Sequence, residues 1–101
     1  MADLVHNGEL HLFGIVGGDL YWDEGFTDTD VTAALANMSG PLIVRLNSPG
    51  GIVSHGNAIH HALADYDGEV TLYVEAQAYS AASVIAMAAD TIIMRTGSMM
   101  M

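Results

Sequence analysis

The chain has 101 residues, 51 % of them hydrophobic, enough for one small domain with a core and too apolar for a disordered polymer. Twelve acidic residues face two arginines, Arg45 and Arg95, for a net charge of −10; two arginines build no basic patch, which argues against nucleic acid and anionic membrane surfaces as partners. There is no cysteine, so disulfides, zinc–thiolate sites and thiol nucleophiles are excluded, and no apolar run is long enough to span a bilayer.

The N-terminus, Met1-Ala2-Asp3-Leu4, lacks a basic region before an apolar run, so no signal peptide is expected and the expected location is cytoplasmic. Glu9 to Val16 reads as a strand with Leu10 and Leu12 on one face, closed by Gly17-Gly18. Asp19 to Phe26 is expected to be a loop, with Trp22 as a partly buried anchor and Asp23 and Glu24 solvated. Thr27 reads as a helix N-cap with Asp30 three residues on, close to a capping box. Val31, Ala34, Leu35 and Met38 then follow on one helical face, and Gly40-Pro41 ends that helix.

Leu42 to Leu46 is an apolar strand of the kind buried in parallel sheets, followed by the turn Asn47-Ser48-Pro49-Gly50-Gly51. A second helix is expected from near Ser54 to Asp65, with Ile59, Ala62 and Leu63 inward and Asp67-Gly68 as its breaker. Val70 to Val74 is rich in β-branched and aromatic residues and reads as a strand. A third helix is expected from Ser80 to about Ala89, apolar nearly all round and therefore buried. Thr91 to Met94 is a further strand. Met99, Met100 and Met101 read as the continuation of a buried strand. This alternation implies an α/β fold of β-α-β layers with a mainly parallel sheet.

In such sheets sites form beyond the carboxyl ends of the strands. Two strand-to-helix turns occupy that place, Asn47–Gly51 and Ala76–Ser80. Taken alone, Pro49-Gly50-Gly51 is a tight turn. With no lysine after it and no G-x-G-x-x-G spacing, it is neither a phosphate loop nor a dinucleotide fingerprint. Taken alone, Ser80 is an N-cap. A helix N-terminus also offers unpaired N–H groups, so a nucleophile at Ser80 would have the Ala81 N–H beside it for a developing oxyanion. Among the five histidines, His6 and His11 fall on or before the first strand. His55 is expected to face solvent at a helix start. His60 and His61 are adjacent and point to different faces, so they form no metal pair. No metal and no cofactor is expected.

Together the turns are more specific than either alone. Asn47-Ser48-Pro49-Gly50-Gly51, Gly56, Ala58-Ile59 and then Ala76-Gln77-Ala78-Tyr79-Ser80, with Gly51 and Ser80 29 positions apart, resemble the Clp protease proteolytic subunit. The stretch Ser80-Ala81-Ala82-Ser83-Val84-Ile85-Ala86-Met87-Ala88-Ala89-Asp90, with Met99-Met100-Met101, is most similar to the phage head maturation branch, whose location would be the bacterial host cytoplasm. The resemblance covers roughly residues 9 to 101. It implies a ClpP/crotonase-like fold and a serine endopeptidase with a Ser-His-Asp triad, acting on protein or peptide substrates. Ser80 would be the nucleophile, and the Gly51 and Ala81 N–H groups the oxyanion hole. Gly50, Ile52 and Val53 would line a substrate added as a strand. It also implies self-association into rings, and leaves open an ATPase partner.

The sequence departs from the family in Ala76, where glycine is frequent, and in Tyr79, where alanine is frequent; Tyr79 is expected to narrow the pocket. The resemblance further implies that residues 1–101 are a single partial domain, with the triad His, the triad Asp and the helical handle beyond Met101. The chain as it stands is therefore expected to be inactive. Two other readings stay open: a non-catalytic ring-assembly subunit, and a crotonase-like acyl-CoA enzyme, which the scarcity of basic residues for the CoA phosphates disfavours.

Overall fold

A computed structural model describes residues 3–18 and 25–101. The expected loop from Asp19, with Trp22, Asp23 and Glu24, lies outside the described residues apart from Gly25 and Phe26. The elements in chain order are β1 (Val5–His6), β2 (Glu9–Phe13), α1 (Asp28–Leu35), β3 (Leu42–Ser48), α2 (Val53–Ala64), β4 (Val70–Ala78), α3 (Ala81–Ala86), β5 (Thr91–Met94) and β6 (Met99–Met100). No described helix is long and apolar enough to cross a membrane.

The sheet runs β1-β2-β3-β4-β5, with β6 also on β4. Among the described residues only the β1–β2 hairpin is antiparallel; β2–β3, β3–β4, β4–β5 and β4–β6 are parallel. The predicted strands Leu42–Leu46 and Val70–Val74 are neighbours in parallel, with Leu42 opposite Val70 and Leu46 opposite Val74. Alternation fixes the faces. Leu10, Leu12, Val44, Leu46, Leu72 and Val74 are buried in one core with Val31, Ile59, Leu63 and Ile85 of the helices. The other face carries Glu9, Arg45, Tyr73 and Glu75.

The elements differ from expectation in several places; β1 is an additional strand, α1 stops at Leu35 short of Met38, and β3 runs through Ser48 into the expected turn. The first strand stops at Phe13, because Gly14 takes φ 100° and turns the chain. Val16 instead bridges Phe26 and Gly51. β4 runs four residues past Val74, since its late segment pairs with β6. α3 ends at Ala86 and is buried only on one face, leaving Val84 40 % and Met87 56 % exposed. Met100 packs on the core, while Met99 and Met101 point outward at 55 % and 70 % exposure. The expected capping box at Thr27 is present. Asp30 N–H donates to Thr27 Oγ1 at 3.1 Å, and Thr27 N–H to Asp30 Oδ2 at 3.2 Å.

Candidate active site

β3 and β4 are parallel neighbours, so the turns that follow them emerge at the same end of the sheet. Backbone hydrogen bonds then lock one turn to the other. Tyr79 N–H donates to the Ser48 carbonyl at 3.1 Å. Ser48 is fully buried, and its Oγ accepts the Gly50 N–H at 3.1 Å. Gly50 takes φ 106°, and a Cβ there would stand 2.8 Å from the Tyr79 carbonyl oxygen and 3.0 Å from Ser80 Cβ. Only a glycine lets the two turns close to this distance.

Ser80 has φ 55° and ψ −122°. With the Ala82 N–H donating to the Tyr79 carbonyl at 3.0 Å, Ser80 occupies the second position of a type II′ turn, a place glycine normally holds. A side chain in that backbone region costs about 1–3 kcal/mol and is met chiefly at functional sites. The N-cap explanation fails on geometry: the Ser80 hydroxyl makes no capping hydrogen bond. It is also exposed, and it has no hydrogen-bond partner among the described residues. The Ser80 N–H donates to the Met101 main-chain oxygen at 2.7 Å, and the Met101 N–H to the Ala78 carbonyl at 3.1 Å. The strand-to-helix turn is thus fastened by Met101, the residue after β6, presenting Oγ outward in the manner of a strained nucleophile turn.

The neighbouring donors divide into used and unused. Val16 N–H donates to the Gly50 carbonyl at 2.9 Å, and Ile52 N–H to the Val16 carbonyl at 2.8 Å. One edge of the Gly50–Ile52 segment is therefore taken by Val16. Gly51, whose added Cβ would strike Val16 backbone, directs its N–H to the opposite edge. Among the described residues, neither the Gly51 N–H nor the Ala81 N–H has an acceptor. Ile52 and Val53 are exposed beside them, at 49 % and 61 %. Gly56 brings α2 onto α3, an added Cβ there lying 3.0 Å from Ala81 Cβ.

No histidine is bonded to Ser80. His55 is half-buried and bonded to Asp28 through Nδ1 at 2.7 Å, a pairing across the starts of α2 and α1 in place of the expected solvent exposure. His60 Nδ1 lies 2.8 Å from the Val84 carbonyl. His6 meets His11 edge to face, with ring centres 5.1 Å apart, and His11 lies tilted against Phe13 at 5.6 Å, at the other side of the sheet. No cluster among the described residues has the makings of a metal site. Tyr79 turns its hydroxyl toward Met99 Sδ at 3.8 Å. Concavities of 330–390 Å³ open around Met38, at the amino ends of the strands and so at the far end from Ser80. They share no lining residue with the two turns.

Sequence reasoning missed Ser48, the Met101 main-chain oxygen and the His55–Asp28 pair. The first is a buried serine in an apolar alternation, which was a readable signal. The other two depend on residues 21 and 27 positions distant and had none.

The profile of the Clp protease family matches residues 29–101. Two solved structures of ClpP1 from Listeria monocytogenes share the fold. An N165D mutant has 23 % identity and a TM-score of 0.68, and a second ClpP1 structure has 22 % and 0.66. Each alignment covers 81 % of this chain and 46 % of the other, so the chain spans about half the length of the structures it matches. No curated protein sequence matches it. With the family profile running through both turns and the parallel sheet that joins them, the chain belongs to the Clp protease family.

Proposed function

We propose that the chain is the nucleophile-bearing part of a serine endopeptidase subunit. The observation that carries this reading is the Ser80 backbone, held at φ 55° and ψ −122° with its hydroxyl free of any capping bond. In the reaction, Ser80 Oγ attacks the scissile carbonyl. The carbonyl oxygen takes up negative charge and receives the Gly51 and Ala81 N–H groups, which have no other acceptor among the described residues. These donors need no reorganisation when the charge develops, which is where such sites gain most of their rate. The substrate lies along the edge of Gly50–Val53 that Val16 leaves open, bonding Gly51 and Val53 while Ile52 and Val53 offer apolar surface.

A serine hydroxyl is a weak nucleophile until a base accepts its proton. No histidine among the described residues is bonded to Ser80, so the site as described holds a nucleophile and two oxyanion donors without a paired base. The exposed Val84, Met87, Met99 and Met101 are assigned to contacts with neighbouring subunits in a ring. A role in phage capsid maturation is the finer form of the same proposal, supported by the wording of the α3 stretch alone. An acyl-CoA enzyme is disfavoured, because Arg45 is committed to Glu9 and Glu75 and lies on the opposite face of the sheet from the helices. The non-catalytic assembly subunit is the alternative that the missing base favours.

The test compares peptide hydrolysis and fluorophosphonate labelling in residues 1–101 and in a version extended past Met101. The short chain is expected to show at most the residual rate of an isolated oxyanion hole, roughly 10³–10⁴-fold over water. The extended chain is expected to gain activity and to lose it in Ser80→Ala. Hydrolysis that survives Ser80→Ala overturns the peptidase reading; an extended chain that stays inert favours the assembly subunit.

A further inference from the structure

Ser83 stands one turn into α3, outside the set of side chains that would touch a substrate. Its Oγ–H donates to the Ser80 carbonyl at 2.6 Å, and its own N–H donates to the same oxygen at 2.9 Å. A serine that bonds back to a carbonyl in the preceding turn is ordinary in helices. What sets this one apart is the carbonyl it binds. That oxygen belongs to the strained residue of the type II′ turn, and it already has a backbone donor.

The consequence follows from peptide planarity. In a trans peptide the C=O and the following N–H point in opposite directions in one rigid plane. Fixing the Ser80 carbonyl toward α3 therefore fixes the Ala81 N–H away from it, out of the helix N-terminus. Two donors on the oxygen resist rotation of that plane better than one. At ψ −122° for Ser80 such rotation is the soft motion, since it is how turns of one hand interconvert. We propose that Ser83 is a positioning residue: its hydroxyl holds the Ser80–Ala81 peptide plane, and so aims the Ala81 N–H at the oxyanion. The inference rests on the peptidase reading for its catalytic meaning, while the geometric part stands on the chain alone.

The experiment uses Ser83→Ala, which removes the hydroxyl, and Ser83→Thr, which retains one. In the ¹⁵N-labelled chain of residues 1–101, Ser83→Ala is expected to shift the Ala81 amide resonance and to give it relaxation dispersion, with Ser83→Thr close to the parent. In the extended chain, Ser83→Ala is expected to lower kcat about three- to tenfold at unchanged KM, the worth of one hydrogen bond realised in the transition state. Ser83→Thr is expected to restore it. An Ala81 amide without dispersion in Ser83→Ala overturns the proposal, as does an unchanged kcat beside a dead Ser80→Ala. Hydrolysis that survives Ser80→Ala would instead sink the peptidase reading. The Ala81 amide would still decide whether Ser83 holds the peptide.

Discussion

Gly50 is the residue on which the candidate site depends most directly. It combines φ 106° with an approach of 2.8 Å between its missing Cβ and the Tyr79 carbonyl. Gly50→Ala therefore imposes both backbone strain and a clash with backbone that cannot swing aside. It is expected to cost about 1–3 kcal/mol in urea unfolding and to displace Ser80, so fluorophosphonate labelling of the extended chain should fall further than stability alone explains. A variant of unchanged stability and labelling would mean that the two turns are not locked together. Ser48 works from beneath the same turn. Its buried Oγ accepts the Gly50 N–H, and Ser48→Ala leaves that donor without its partner, a loss of about 1–3 kcal/mol.

Among the elements, α1 owes its start to a reciprocal pair. Thr27→Ala removes the acceptor for the Asp30 N–H and should lower stability by about 1 kcal/mol, within the range of 0.5–2 seen for such caps. Thermal unfolding of the variant measures it directly. The strands β2, β3 and β4 are tied across their open face by Arg45. It contacts Glu9 at 3.1 Å and Glu75 at 3.2 Å and lies 4.0 Å from the centre of the Tyr73 ring. The Arg45 hydrogen bond holds the Glu9 carboxyl below its ordinary value, and the same bond raises the Arg45 guanidinium. A carboxyl depressed by folding contributes stability that is present above its unfolded value and is lost as pH falls through the folded one. Stability should therefore decline on acidification through and below the ordinary carboxylate range. Arg45→Met should flatten that decline; an unchanged acid limb would remove Glu9 from the balance.

For the molecule as a whole, charge and size pull in opposite directions. The described residues bury one continuous core, and the Cα radius of gyration is 12.0 Å, close to the value of about 13 Å expected for a compact chain of 100 residues. The described residues are thus organised around a core of their own. Against that, a net charge of −10 repels itself, and salt screens the repulsion. Raising salt from about 0.05 to 1 M, where the Debye length falls to about 3 Å, is expected to raise the thermal midpoint by several degrees, equivalent to about 1 kcal/mol for a domain of this size. A midpoint that falls with salt would show that the acidic residues are paired more fully than Arg45 and Arg95 allow.

The amino-acid sequence alone is enough to read the α/β class, the parallel pairing of β3 and β4, and the start of α1. Each of these rests on local information: the apolar run Leu42–Leu46, of the kind buried in parallel sheets, β-branched residues in Val70–Val74, and Thr27 with Asp30. It also brought Gly50, Gly51, Ser80 and Ala81 into view, because glycines and a serine between a strand and a helix are readable as such. What those residues do with their bonds follows from the folded sheet. Ser80 looked like an N-cap, since a serine before an apolar run has that propensity; the bonds from Tyr79 to Ser48 and from Ser80 to Met101 forced it into the left-handed region instead. Val16 left its expected strand because Gly14 bent the chain and the Gly50–Ile52 edge offered it two hydrogen bonds. His55 found Asp28 because α1 and α2 start at the same end of the sheet. Local preference is settled within a few residues, whereas these choices were settled by partners 21 to 36 positions away, whose approach only the folded sheet brings about.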